Sequence, residues 1–266
     1  MGVQSSFGFT LGRMEKGKLN KITDVPGVRV GHVTRHEGDI NTGVTAILPH
    51  TGDMFHDKCP AASHVINGFG KSIGLVQVNE LGTIETPLLL TNTLSVGTAA
   101  TALVKYMLER NADIGCDTGT VNPMVFECND GHLNDIRGLH VTEQNALDAI
   151  ANAADDFEEG AVGAGSGMSC YSLKGGIGSA SRTDLHSGKF GQIIAHGVGH
   201  DESAALHKCQ RRDDGHDLGA GIHIIKLIAR HGLFFFHIGI AGAVAVKYFV
   251  VAGDGDIHAG KAVRGK

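Results

Sequence analysis

Proline is scarce in this chain, with 5 residues against 39 glycines in a length of 266. That balance excludes a low-complexity linker and points to tight turns and close backbone packing. Paired cysteines are missing too. Cys59, Cys116, Cys128, Cys170 and Cys209 are scattered, odd in number and without a CxxC pair. Free thiols in a reducing compartment are the simplest reading. Excess charge of one sign is also slight, with a formal net charge of -5. No basic field therefore points to nucleic acid. Met1–Lys18 lacks the apolar stretch of a secretory signal, so a cytoplasmic location is the expectation. One apolar run, Leu233–Ala252, has the length of a membrane span. It contains His237, Lys247, Gly239 and Gly242, so a buried strand pair or buried helix is expected there, and no membrane partner.

What is present suits a globular protein. Apolar residues make up 42% and charged residues 19%, and the length fits one large domain or two small ones. Asp24-Val25-Pro26-Gly27 reads as a turn, and Val28-Arg29-Val30 alternates like a half-buried strand. Further strands are expected over Thr42–Leu48, Ala62–Ile66 and Glu85–Leu90, and a short one from Val125-Phe126. The first helix is expected over Val96–Arg110, where Ala99, Leu103 and Met107 share one face. A second is expected over Thr142–Ala154, with Thr142 as a partial cap and Leu147 and Ile150 on its apolar side. Beyond Arg182 the pattern changes. Residues 1–185 hold seven histidines and residues 186–266 hold nine. Ile222–Arg230 reads equally as helix or strand.

Several segments carry candidate chemistry. Glu127-Cys128-Asn129-Asp130-Gly131-His132-Leu133-Asn134-Asp135 packs three carboxylates and two carboxamides behind an apolar strand. Open α/β sheets often place binding groups at such strand ends, and a carboxylate there can hold an ammonium ion. A polar turn with Asx hydrogen bonds is the plainer alternative. Gly163-Ala164-Gly165-Ser166-Gly167-Met168 fails as a dinucleotide motif because Met168 occupies the last glycine position. It remains either a loop with positive φ or a wall of backbone amides along a pocket. His196 and His200 have helical ligand spacing but lack the glutamate of HExxH, so no metal is expected. The Gly165-Ser166-Gly167 frame is wrong for a nucleophile elbow.

In these segments and those between them, the chain resembles the DmpA family of aminopeptidases, which includes L-aminopeptidase D-esterase/amidases and β-peptidyl aminopeptidases. The resemblance is carried in order by residues 22–34, 42–50, 66–71, 85–98, 129–140, 162–168 and 174–182. It implies a layered αββα sandwich and a precursor that cuts itself. The serine exposed at the new N-terminus is then the nucleophile, with its own amine as base. It also implies homo-oligomers, no cofactor, and as substrates short peptides, amides or esters with a free amine. Glu127 aligns with the acidic residue of the family's Glu-Thr-Asn-Asp-Gly segment, which holds that amine. Cys128 replaces the usual threonine.

The resemblance is dense over residues 22–182, within a scaffold region expected over 1–185, and weak over 186–266, which is expected to belong to the same domain. Phe190–His196 lacks the family's oxyanion-binding asparagine. The nearest echo of the serine segment is Val251-Ala252-Gly253-Asp254-Gly255-Asp256-Ile257, with Asp256 at the serine position. The catalytic residue is thus unassigned. Three explanations stay open: a larger fragment or truncated product, a shifted reading frame over the last 80 residues, or a divergent member. Accordingly, a catalytically inactive scaffold or amine-binding protein stands as the alternative function.

Overall fold

A computed structural model describes residues 16–63, 69–169 and 173–181, together with the backbone of 15, 170, 182–184, 192–195, 220–225, 228–229, 232–233 and 236–241. Chain order begins β1 (Glu15–Lys16), β2 (Arg29–Glu37), β3 (Ile40–Leu48), β4 (Cys59–Pro60), β5 (Ser72–Ile73) and helix α1 (Leu75–Leu81). It continues with β6 (Thr83–Ile84), β7 (Leu88–Thr91), α2 (Val96–Arg110), β8 (Met124–Glu127) and α3 (Glu143–Ala151). Then come β9 (Ser169–Cys170), β10 (Leu173–Lys174), β11 (Ser181–Asp184) and β12 (Gln192–Ala195).

The centre is a five-stranded sheet in the order β2-β3-β7-β8-β5. β2 and β3 form a hairpin closed by Gly38-Asp39, with Glu37 opposite Ile40 and Gly38 at φ +56°. β3 pairs antiparallel with β7, β7 runs parallel to β8, and β8 pairs antiparallel with β5. A parallel pair needs a crossover, and α2 lies within the one between β7 and β8.

Alternation along the strands builds two cores, one per face. Ile47, Leu88, Leu90, Met124 and Phe126 point to one side, where they meet Ile22, Val25, Ile84, Ala164 and Met168. Val44, Ala46, Leu89 and Val125 point to the other, where they meet Ala99, Leu103, Ala146 and Ile150 of α2 and α3. A sheet covered on both faces explains why β7 is a continuous run, Leu88-Leu89-Leu90, buried throughout.

Helix α2 matches its expected bounds, and Ala99, Leu103 and Met107 are all buried. Helix α3 ends earlier than expected, at Ala151. Val30 and Ala154 exchange amide-to-carbonyl bonds of 3.0 Å each way, which draws the chain off the helix and onto β2. Its cap is also fuller than expected: the Thr142 hydroxyl accepts from the Asn145 amide at 3.3 Å, and Asn145 Oδ1 accepts from the Thr142 amide at 3.0 Å. The buried stripe is Ala146, Ala149 and Ile150, which leaves Leu147 only partly buried. The strand expected at Glu85–Leu90 is displaced to Leu88–Thr91. Ala62 lies outside any strand, and residues 64–66 are outside the described set. The ambiguous Ile222–Arg230 segment is strand where described. Residues 220–225 pair antiparallel with 236–241, within the apolar run of the C-terminal third. Among the described residues, no helix is long and apolar enough to cross a membrane.

Candidate functional site

The parallel strands β7 and β8 end side by side, with Thr91 opposite Glu127. Past β7 the chain turns through Asn92 into α2, and past β8 it turns through residues 128–135. Their shared carboxyl ends therefore gather polar groups from both connections, as expected for a sheet of this kind. Asn92 is placed by two bonds. Its Oδ1 accepts from the Ser95 amide at 3.0 Å, and its Nδ2 donates to Thr42 Oγ1 at 3.0 Å.

Glu127 is 2% exposed. Its amide donates to the Lys71 carbonyl at 3.1 Å, which fixes the backbone between β7 and β5. A carboxylate buried this deeply stays charged most readily opposite a cation. Cys128 is fully buried, and its amide donates to the Thr91 carbonyl at 2.6 Å. Burial raises the Cys128 thiol well above its ordinary range, with the charges of Asp130 and Glu127 pushing the same way. A thiol so disfavoured as thiolate is a packing group here, not a nucleophile.

Asp130 is buried like Glu127. Burial lifts its carboxyl to about 6, against the Thr42 hydroxyl and the Asn134 carboxamide, which hold it down. Asn134 Nδ2 donates to Asp130 Oδ1 at 3.0 Å. Asn129 makes the Asx turn foreseen for this segment, its Oδ1 accepting from the Gly131 amide at 3.1 Å. Asp135 stands apart on the surface, paired with His140 at 2.9 Å. The nine-residue cluster thus divides into two buried carboxylates, one turn and one surface pair.

The glycine loop closes over this region. Within residues 163–168 the positive-φ reading holds at Gly163 alone, at φ +51°. The alternative, a wall of open amides, does not hold for the amides of Gly163, Ala164, Gly165 and Ser166. Gly163 donates to Thr34 Oγ1 at 2.8 Å, Ala164 to Thr45 Oγ1 at 3.1 Å, Gly165 to the Val162 carbonyl and Ser166 to the Gly163 carbonyl. Thr45 belongs to a short relay. His32 Nδ1 lies 2.9 Å from Thr45 Oγ1, and His32 Nε2 lies 3.1 Å from the Glu158 carbonyl. With Nε2 as donor to that carbonyl, Nδ1 accepts from Thr45, whose oxygen receives the Ala164 amide. Burial lowers His32 to about 4, the Glu158 carbonyl opposing.

Sequence reasoning singled out Glu127 and missed Thr42, Asn92 and His32. The available signal for Asn92 was its place directly before a helix, where carboxamides cap. Nothing local marked Thr42 or His32, which matter through partners 50 and 126 residues away. Among the described residues, no three His, Cys, Asp or Glu side chains gather as a metal site. His196, His200 and Val251–Ile257 lie outside the described residues.

Beta-peptidyl aminopeptidase BapA of Sphingosinicella microcystinivorans is 40% identical over 183 residues, covering 65% of this chain and 45% of that protein. This chain therefore spans less than half the length of that curated relative. A Burkholderia sp. beta-aminopeptidase structure covers 100% of this chain and 83% of its own, at 28% identity and a TM-score of 0.70. The L-aminopeptidase D-Ala-esterase/amidase of Ochrobactrum anthropi, a variant of the Ntn hydrolase fold, covers 92% of this chain and 76% of its own. At 24% identity and a TM-score of 0.65, it speaks to the fold alone. The two-faced sheet with helices is thus an α/β sandwich of that type. Residues 20–202 match Peptidase family S58, and the chain belongs to that family.

Proposed function

We propose that this chain is the scaffold of an aminopeptidase that acts on N-terminal residues of short peptides, amides or esters, with Glu127 holding the free amine of the substrate. The observation that carries the reading is a carboxylate 2% exposed at the carboxyl end of a parallel strand pair, in a segment similar to the family's amine-binding one. A charge-assisted hydrogen bond there would both orient the substrate and offset the cost of burying the carboxylate. The nucleophile in this reading is an N-terminal serine released by self-cleavage. Its oxygen attacks the carbonyl carbon while the serine's own amine takes the hydroxyl proton. No serine of this chain is assigned that role. Homo-oligomeric assembly, a cytoplasmic setting, and a 186–266 region sharing the domain of 1–185 belong to the same proposal.

A second reading is an amine-binding protein without turnover, favoured by Asp256 standing at the serine position of the nearest echo. Two measurements separate the readings. Turnover of aminoacyl p-nitroanilides by the purified chain supports the enzyme and excludes the binder. Calorimetry with L-alaninamide tests what both share: Glu127→Gln is expected to weaken binding about 10- to 100-fold, the worth of one charged hydrogen bond. Equal affinity in the variant would remove Glu127 from the site.

A further inference from the structure

Asp130 has no task once Glu127 is given the amine and Asn129 makes the turn, yet it is 1% exposed, with one carboxylate oxygen hydrogen-bonded and Oδ2 buried without a hydrogen-bond partner. Its Oδ1 accepts from Asn134 Nδ2 at 3.0 Å. Asn134 passes the link on, its own Oδ1 accepting from the Asn41 amide at 2.9 Å. Thr42 Oγ1 accepts from Asn92 Nδ2, and the Thr42 hydroxyl holds the Asp130 carboxyl down. Asn92 in turn caps the Ser95 amide at the entrance to α2. One carboxylate thereby joins the start of β3, the entrance to α2 and the loop after β8. The glycine loop seals the remaining side. A Cβ on Gly167 would stand 2.9 Å from Asp130 Cβ and 3.2 Å from Asn134 Cβ, and would overlap the Asn41 carbonyl. A buried polar network of this kind either holds as a unit or opens at the member removed.

We infer that Asp130 is a positioning residue of the Glu127 site, holding the segment from Glu127 to Asn134 against β3, the entrance to α2 and Gly167. The inference deepens the amine-binding reading and rests on it for its functional meaning. Its physical route is short. Glu127 lies three residues before Asp130, and the fully buried Cys128 lies between them. A carboxylate that loses its anchors at 130 lets the strand end at 127 swing.

Cys128 is the reporter and Cys59 the control, since both thiols are buried. The full chain is treated under native conditions with iodoacetamide, and labelling of each cysteine is followed by mass spectrometry. Asp130→Ala and Gly167→Ala are expected to speed Cys128 labelling at least about tenfold and leave Cys59 unchanged, because only the local network opens. Asp130→Asn keeps an oxygen that accepts from Asn134 and Thr42, so it is expected to stay within about threefold of the parent protein. L-alaninamide affinity is measured in parallel. It is expected to fall about tenfold in Asp130→Ala and to recover in Asp130→Asn. Cys128 staying protected in Asp130→Ala overturns the inference, as does joint exposure of Cys128 and Cys59. Unchanged affinity in Asp130→Ala, where Glu127→Gln does lose binding, overturns it as well. If Asp130→Ala cannot be purified, Thr42→Val and Gly167→Ala carry the same labelling expectation and the same outcomes. If the parent protein fails to bind L-alaninamide, the amine reading fails by itself, and the labelling pattern still decides whether Asp130 holds the segment.

Discussion

Half-buried His32 and buried Asp130 carry protons that pull stability in opposite directions with pH. His32 sits at about 4 in the fold against an ordinary 6.5. Between those values the unfolded chain binds more protons, so stability rises with pH, is fully present above 6.5, and is lost as pH falls through 4. Asp130 sits at about 6 against an ordinary 3.8. Here the folded chain binds more protons, so this contribution is fully present below 3.8 and is lost as pH rises through 6. The two slopes offset each other between pH 4 and 6, each worth about 1.4 kcal/mol per pH unit at most. Urea unfolding across that window separates them. Asp130→Asn, relative to the parent, is expected to gain stability as pH rises, and His32→Gln to lose it. Differences independent of pH in both variants would show that neither group is held where its surroundings indicate. Their sequence neighbourhoods reveal little of this. Asp130 lies in Asn129-Asp130-Gly131, which reads as any polar turn, and its burial comes from Thr42 and Gly167. Glu127 was legible because it follows an apolar strand within a segment similar to a family motif.

Elements were legible where their own periodicity decides them and blurred where a distant partner does. Helix α2 is set by apolar residues at helical spacing, and its bounds match the expected Val96–Arg110. Helix α3 has the same kind of stripe, yet its end is set by the bridge from Ala154 to Val30, 124 residues earlier in the chain. That contact is tight. A Cβ on Gly31 would lie 2.6 Å from the Ala153 amide nitrogen and would overlap the Ala149 carbonyl. The end of α3 therefore packs on strand backbone, and only glycine leaves room for it. Two substitutions on the same helix connection should accordingly differ in cost. Thr142→Ala removes a cap and is expected to cost about 1 kcal/mol. Gly31→Ala forces helix and strand apart and is expected to cost more, up to about 3 kcal/mol as in overpacked cores. Denaturant midpoints at constant m-value give the order, and the reverse order would mean that the two elements separate freely.

At the scale of the whole molecule, the N-terminal segment closes on residues 179–184, far along the chain. β1 pairs with β11, Glu15 opposite Thr183. The Ile22 amide donates to Ser179 Oγ at 2.6 Å, and the Ser181 amide donates to Asn20 Oδ1 at 3.2 Å. Asp24 is the hub: it accepts from the Leu19 amide at 2.8 Å and from the Ser181 hydroxyl. These partners are 157 residues apart, so no window of sequence could have linked them; Asp24-Val25-Pro26-Gly27 simply reads as a turn. The same distance gives the contact its weight, because the entropy of closing so long a loop favours its forming late. Asp24→Ala leaves the Leu19 amide and the Ser181 hydroxyl without their acceptor. The expected loss is about 2 kcal/mol, with unfolding faster and folding little changed, because the contact closes late. Asp24→Asn keeps one accepting oxygen and should recover about half of that loss. Stopped-flow folding in urea checks both values. If Asp24→Ala slows folding and leaves unfolding untouched, the two chain segments meet early, and the core of β3, β7 and β8 assembles around their contact.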